Sequence, residues 1–533
     1  TRVFGDWFDA SYVAHTGEVY LNGRKIGTGN GKTAGGFLHR GYHVIAYRVR
    51  PTAVSSIGST QYRAGLTSGD GSNGARGGVQ LGELLLWNRP LTEAEILDAS
   101  AYLAKKWLDA EMPGYKSGAD ADIPDVQVVN AAADGAKIDV TGRGCTRNRW
   151  PGGDMKNDSS GGTHGGWGAK ITSFAENGTP PYDSIVNPVL AGSGGGQTVE
   201  GNATSGGGVI WLEVEGTLTM DGTLVANGNN YTHYAGAGGS VNIMAGRFVG
   251  GAGAVISADA GKASSGTSSA GGGRIAVKLT GEGADFSDYH GAMTAYGYRY
   301  GTPGETGKRG GAGTIYLRTA AQGENGGTLI VDNGEAKSSC KTLVGGDVEG
   351  TAFGDVIVRG GANLALAEDA TLTVGGDFAN EATFTAGAGA TVVFVGAGES
   401  VVSGDTTFAS FRCETPGKTI AFAEGSTQKV TEKMVVDGGE DKVTLKAASP
   451  EGSWTLDLTG ASVAIAGAAL GGCQAVAAFT ATESEDLGGN SANVTIIGKL
   501  EPQTLTWTGA VSSEWGDAGN WTGGDRAPLQ VDT

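Results

Sequence analysis

Histidine, cysteine and proline are all scarce in this chain of 533 residues, and each scarcity closes off a class of chemistry. The six histidines, His15, His39, His43, His164, His233 and His290, stand in no HExxH, GxSxG or Cys/His pattern. Zinc or nucleophile chemistry therefore has no motif to rest on, and each histidine reads as a loop or surface residue. Cys145, Cys340, Cys413 and Cys473 are scattered, without a CxxC, and read as isolated small buried side chains whose pairing the sequence leaves open. Basic residues are also few: 38 Lys and Arg against 56 Asp and Glu leave a formal charge of −18, with no basic stripe for nucleic acid or an anionic membrane. No apolar run reaches the ~20 residues of a membrane span, and no signal peptide is present. The chain starts at Thr1 inside an expected strand and stops at Thr533 as a new repeat begins, so it is expected to be a piece of a larger protein.

Glycine is what the chain has in abundance, 97 residues against a usual share of about 7%. There is no G-X-Y period, which excludes collagen, and 39% hydrophobic residues with visible alternation argue against disorder. The organising stretch runs from Gly206 to Leu317. Four short strands recur there, VIWLEV, VNIMA, RIAVKL and TIYLR, and aligning Val209, Val241, Ile275 and Ile315 gives steps of about 32, 34 and 40 residues. A second set follows each of these, TLVANG from Thr223, VISADAG from Val255, MTAYGY from Met293 and, more loosely, TLIVDNG from Thr328. Period-two alternation predicts one buried face, carrying Ile210, Leu212, Ile243, Ile275, Val277, Ile315 and Leu317. Between the strands lie glycine-rich runs that supply positive-φ turns and allow close backbone approach. No rung buries its apolar face alone, so the reading is an all-β parallel β-helix (β-solenoid) stabilised by stacking.

Residues 1–110 form a separate unit. EVYLNGRKIGTGNG reads as a hairpin about Asn22-Gly23, HVIAYRV and GVQLGELLLWN as strands, and residues 91–107 as a helix. Thr92 is the expected N-cap, Glu95 completes a capping box, and Ile96, Ser100, Leu103 and Trp107 share a face. VYLNGRKIG and GELLLWNRPLTEAEILDASAYLAKKW resemble the laminin-G-like, concanavalin A-like jelly roll of bacterial surface proteins, the second phrase matching its closing strand and helix. The resemblance implies the later half of a β-sandwich closed by one helix. Residues 111–125 read as a linker, 126–330 as a glycine-rich solenoid with KIDVTGRG as first rung and a long insertion at 161–196, and 331–500 as shorter solenoid repeats. The alternating set of the last region is Leu364, Leu366, Leu372, Val374, Ile420, Phe422, Val443, Leu445, Leu456 and Leu458. These repeats resemble those of bacterial adhesins and autotransporter passengers. Residues 501–533, with Trp507, Trp515, Asp517, Asn520 and Trp521, are similar to the opening of a further autotransporter-type repeat.

Two outward columns of the solenoid test for a ligand site. One reads Trp211, Asn242, Ala276, Tyr316 and its neighbour Glu213, Met244, Lys278, Arg318. With strands about 4.8 Å apart, Lys278 and Arg318 stand side by side, a pair suited to an acidic sugar or, equally, to a solvated sheet face. Tyr231 and Tyr234 are further aromatic candidates, with Tyr296, Tyr298 and Tyr300. A glycosidase needs two carboxylates about 5 to 9 Å apart, and these columns offer Glu213 alone. Oxygen-rich SGDGSNG at 68–74 raises calcium as an alternative, though its spacing fits neither an EF-hand nor a nonapeptide repeat. The resemblances imply a non-catalytic, extracellular or cell-surface stalk that displays an adhesive module and binds polysaccharide or host-surface glycan. The competing reading is a polysaccharide lyase or glycoside hydrolase on a β-helix.

Overall fold

The computed structural model describes residues 136–154, 159–170, 176–196, 204–231, 233–263, 269–297, 310–338, 340–499, 504–523 and 527, the strand segments 18–21, 24–28, 45–48, 61–62 and 127–128, and residues 92, 95–96, 98–99 and 102. The chain divides into two compact units, Thr1–Ala370 with Asn380–Thr385, and Thr371–Ala379 with Ala386–Thr533. Both are built on long sheets of parallel strands.

In the first unit the strands Val209–Met220, Ser240–Val249, Arg274–Leu279 and Thr314–Arg318 pair in parallel, each with the next. Their register is Ile210, Val241, Ile275, Ile315, so Val209 faces Ser240 and the alignment on Val209 is one residue out. Alternation decides this: Ile210, Leu212 and Val214 are the buried residues in the first half of the first strand, and a one-residue slip would turn all three outward. Ile243, Ile275, Val277 and Ile315 are buried as expected, while Leu317 is only partly so, packed at the edge of the cluster. A second parallel sheet joins Lys137–Asp139, Thr223–Val225, Val255–Ser257 and Ala292–Thr294, and its Ile138, Leu224 and Ile256 meet the first set in one core. Gln61–Tyr62 also pairs in parallel with Lys137–Asp139. Thr328–Asp332 breaks the expected pattern. It lies antiparallel to Thr314–Arg318 in the first sheet, not in the second, because the short Thr319–Gly327 connection folds the chain straight back.

The glycine runs are a second core made of backbone. Gly192 donates to Gly207 O, Gly207 to Ala237 O, Gly238 to Gly271 O, Gly271 to Gly162 O and Gly272 to Gly311 O, at 2.8 to 3.1 Å. Gly165 and Gly166 both donate to Gly272 O at 3.0 Å. None of these residues has a positive φ; a Cβ on Gly238 would lie 2.0 Å from Ala258 O, and one on Gly272 2.0 Å from Ala295 O. Glycine is required here for close approach, and the expected turn role falls elsewhere.

The Glu18–Leu21 and Arg24–Thr28 strands pair antiparallel about residues 22 and 23, and Ile45–Arg48 adds to the first of them. Thr92 Oγ1 accepts from the Glu95 N–H at 3.3 Å while the Glu95 carboxylate accepts from the Thr92 N–H at 2.7 Å, the reciprocal pair of a capping box. Ile96, whose N–H reaches Thr92 O at 3.1 Å, is buried. The expected strand at 78–88, the linker at 111–125 and the SGDGSNG loop lie outside the described residues.

In the second unit Glu399–Ser403, Thr419–Phe422, Val443–Ala447 and Ala468–Gly471 form one parallel ladder. Thr371–Val374, Thr391–Phe394, Thr406–Cys413, Thr427–Asp437 and Ser462–Ala466 form another. Leu372, Val374, Ile420, Phe422, Val443, Leu445, Leu456 and Leu458 are all buried, with Phe422 stacked on Trp454 at 3.8 Å. Glycine here does make turns: Gly417, Gly425, Gly439 and Gly460 have φ between +60° and +86° and open space around them. Among the described residues no helix is long and apolar enough to cross a membrane.

Candidate functional site

The outward columns fall in the expected order. Asn242 is flanked in register by Trp211 and Ala276, and Ala276 by Tyr316; Met244 lies between Glu213 and Lys278, and Lys278 beside Arg318. The columns do not form one open face. The loop Thr319–Gly327 covers Tyr316, which is fully buried and donates its hydroxyl to Glu324 O at 3.1 Å. Tyr234 is buried as well, while Trp211, Tyr231, Lys278 and Arg318 keep part of their surface. Tyr296 is half-buried beside the Asp259 carboxylate, and Tyr298 and Tyr300 lie outside the described residues.

The segment 182–190, part of the expected insertion, lies across the same sheet and brings together residues far apart along the chain. Asp183, at φ +73°, accepts from the N–H groups of Ser184, Val189 and Leu190 at 2.9 to 3.2 Å. Its carboxylate also meets His164 Nε2 and Ser240 Oγ, each at 3.3 Å. His164 lies in a loop, one of the two alternatives expected for it, but it is fully buried and not at the surface. Its Nδ1 faces Gly238 O at 2.9 Å and its ring lies against Tyr182 with centroids 4.8 Å apart. The two ring nitrogens thus face a backbone carbonyl on one side and a carboxylate on the other.

Arg274, also fully buried, donates from Nε to Tyr182 O at 2.9 Å and from Nη1 to Thr314 Oγ1 at 3.0 Å. Its Nη2 has no partner among the described residues. Burial draws the guanidinium down to about 10, against the pull of Asp183. Burial pushes the Asp183 carboxyl up, but the His164 hydrogen bond and charge, the Leu190 N–H and Arg274 together outweigh it and hold the group below the ordinary Asp value.

Serine, histidine and aspartate therefore meet, but not as a nucleophilic relay. Ser240 Oγ donates its one proton to Leu190 O at 2.6 Å, with Asp183 farther off at 3.3 Å, whereas a relay needs the imidazole on the hydroxyl, and His164 and Ser240 are both fully enclosed. The cluster is a clamp that fastens the covering segment to the strand starts Ser240, Arg274 and Thr314, which share one register line. One signal for it was present in the sequence: Arg274 is a charged residue directly ahead of the apolar run IAVKL, at a position the neighbouring rungs fill with Ser240 and Thr314.

Further along the covering segment, Asn187 Oδ1 accepts from Asn242 Nδ2 at 2.8 Å and from Lys278 Nζ at 2.9 Å. Burial, reinforced by Arg318 and opposed by Glu213, draws the Lys278 ammonium down to about 8. Among the described residues no group of three or more His, Cys, Asp or Glu side chains could hold a metal ion. Cys145, Cys413 and Cys473 are free thiols, and Cys340, Cys413 and Cys473 are buried. In the second unit Asn520 is buried and ties the N–H groups of Val511 and Ser512, at 2.8 Å each, beneath the exposed rings of Trp507 and Trp515. Compared with known proteins, the chain matches no family model, no curated protein and no solved structure.

Proposed function

We propose that this chain is the β-solenoid stalk of a bacterial cell-surface or secreted protein, carrying a laminin-G-like, concanavalin A-like module at residues 1–110. It works by display and adhesion to polysaccharide or host-surface glycan, without catalysis. The observation that carries the reading is repetition: four successive parallel rungs stack in register, with their columns left open at Trp211, Lys278 and Arg318. The backbone lattice beneath the glycine runs adds stiffness, since each segment is fixed by hydrogen bonds to its neighbours. A stiff repeating surface suits many weak contacts, whose strength comes from multivalency and not from one deep pocket. The cluster that combines imidazole, carboxylate and hydroxyl supports the non-catalytic reading, because it is sealed and spent on holding the covering segment. The partly open residues Trp211, Tyr231, Lys278 and Arg318 are the proposed contact set, with the exposed Trp507 and Trp515 as a separate aromatic surface.

The test is incubation of the purified chain with a panel of plant and host polysaccharides, reading both retention and product release. Retention weakened by Trp211→Ala or Arg318→Ala, with the polysaccharides left intact, is expected. Release of unsaturated or reducing-end products, lost when Lys278 and Arg318 are replaced, would identify a lyase instead.

A further inference from the structure

Lys278 and Asn187 stand 91 positions apart in the sequence and in direct contact in the fold. We propose that they form an intramolecular isopeptide bond, covalently stapling the covering segment to the parallel sheet. The inference rests on the local geometry and not on the adhesive reading above.

Four features of the site favour this reaction. The nucleophile is in place: Lys278 Nζ lies 2.9 Å from Asn187 Oδ1, one bond away from the amide carbon it would attack. It is also partly neutral near physiological pH, because burial and Arg318 disfavour its charge. The electrophile is polarised: Asn242, itself buried, donates from Nδ2 to the same Oδ1 at 2.8 Å, where negative charge develops as the tetrahedral intermediate forms. The orientation of both amides follows from the ammonium form of Lys278, which can only donate, so that Asn187 presents oxygen to it and Asn242 presents nitrogen to that oxygen. Glu213, two strands from Lys278 in the same column, acts the other way, its charge favouring the ammonium, and burial with Arg318 outweighs it.

The fourth feature is in the sequence. Asn187 is followed by Pro188, which has no N–H, so the common loss of ammonia by attack of the next backbone nitrogen is blocked. The side-chain amide is thereby preserved for another nucleophile, and Lys278 is the one that touches it.

The step balances without any oxidant or cofactor. The neutral amine adds to Cγ and the carbonyl pair moves onto Oδ1, held by Asn242. One amine proton passes through a solvent water to Nδ2, which is open to solvent with the exposed Asn187. The intermediate then collapses, the Cγ–Nδ2 bond breaks, and ammonia leaves. Asn187 is exposed, so the leaving group goes directly to solvent. The product is a secondary amide between Lys278 and Asn187, and Lys278 then leaves the proposed glycan-contact set.

Intact mass of the purified chain, aged at pH 9, is expected to fall below the sequence mass by one ammonia. Tryptic digestion should give no cleavage after Lys278 and a branched peptide joining the segments that carry Asn187 and Lys278. Lys278→Arg keeps a cation at the site without a nucleophile and should restore the full mass, while Glu213→Gln, by removing a charge that favours the ammonium, should speed the loss. Full sequence mass in the aged wild-type chain, or ammonia loss that maps to another asparagine and survives Lys278→Arg, would overturn the proposal. The wild-type measurement decides the question even where a variant fails to fold.

Discussion

Glycine does two unrelated jobs in this protein, and single substitutions separate them. At Gly272 the backbone conformation suits any residue, but a methyl group would sit 2.0 Å from Ala295 O and 2.5 Å from Gly313 N, atoms of the main chain that cannot turn aside. Gly272→Ala is therefore expected to cost at least the ~1 to 3 kcal/mol typical of overpacking, because segments on both sides must shift. At Gly460 the opposite holds: φ is +86°, with nothing within 4 Å of the added carbon. Gly460→Ala should cost only the ~1 to 2 kcal/mol of a left-handed conformation in a side-chain-bearing residue. Asparagine tolerates that conformation better than other residues, so Gly460→Asn should recover part of the loss, whereas Gly272→Asn should be worse than alanine. Urea midpoints of the four variants check this, and equal asparagine responses at the two sites would sink the distinction.

At the scale of the element, the covering segment 182–190 is expected to be the acid-sensitive part of the first unit. Asp183 is held below the ordinary carboxylate value in the folded chain, so the unfolded chain binds its proton first. Its stabilising contribution is complete above the ordinary Asp value of 3.8 and is lost as pH falls through the lower folded value. Hydrogen exchange at the N–H groups of Val189 and Leu190, both bonded to Asp183, should rise in that window once corrected for the intrinsic pH dependence. Asp183→Asn should raise it already at neutral pH, because the buried His164 and Arg274 lose their counter-charge. Protection unchanged by either treatment would mean that the clamp does not hold the segment.

This segment was also the least legible part of the sequence, for a physical reason. The parallel strands announced themselves because burial of one face writes a period of two into Ile210, Leu212 and Val214, and again into Val241 and Ile243. Glycine has no side chain to bury, so Gly162, Gly238 and Gly271 bond to one another without leaving any periodic trace. The Thr328–Asp332 strand was misplaced because its alternating Leu329 and Val331 suit either sheet equally, and only the reversal after Arg318 decides between them. The outward columns were legible by register, yet their covers were not, since no pattern in the rungs says which loop folds back over Tyr316. Thr92 and Glu95 show the other extreme, where four consecutive residues determine a cap without help from the rest of the fold.

For the whole molecule, the excess of acidic over basic residues gives a formal charge of −18, and two effects of salt oppose each other. Screening relieves the mutual repulsion of the carboxylates, but it also weakens ion pairs such as Arg247–Asp288 and Lys499–Glu440. Those pairs are exposed on both sides, where solvent and side-chain entropy leave an ion pair little net stabilisation, so relief of repulsion should win. Raising sodium chloride from a few millimolar to physiological strength is expected to increase the thermal midpoint. A fall would show that the ion pairs carry more of the stability than their exposure implies.

The glycine lattice has a further consequence, which concerns digestion. A protease must draw a length of chain into its cleft in extended form, pair with its free backbone groups and seat a side chain in a specificity pocket. Around Gly162, Gly207, Gly238 and Gly272 the backbone groups are already committed to neighbouring segments, and there is no side chain to seat. Cuts therefore have to fall elsewhere, at exposed turns such as Glu282–Gly283 or in the tips between strands, and each nick made there leaves the lattice still fastened. A surface exposed to foreign enzymes would gain its resistance from the one residue type that presents them with nothing to recognise.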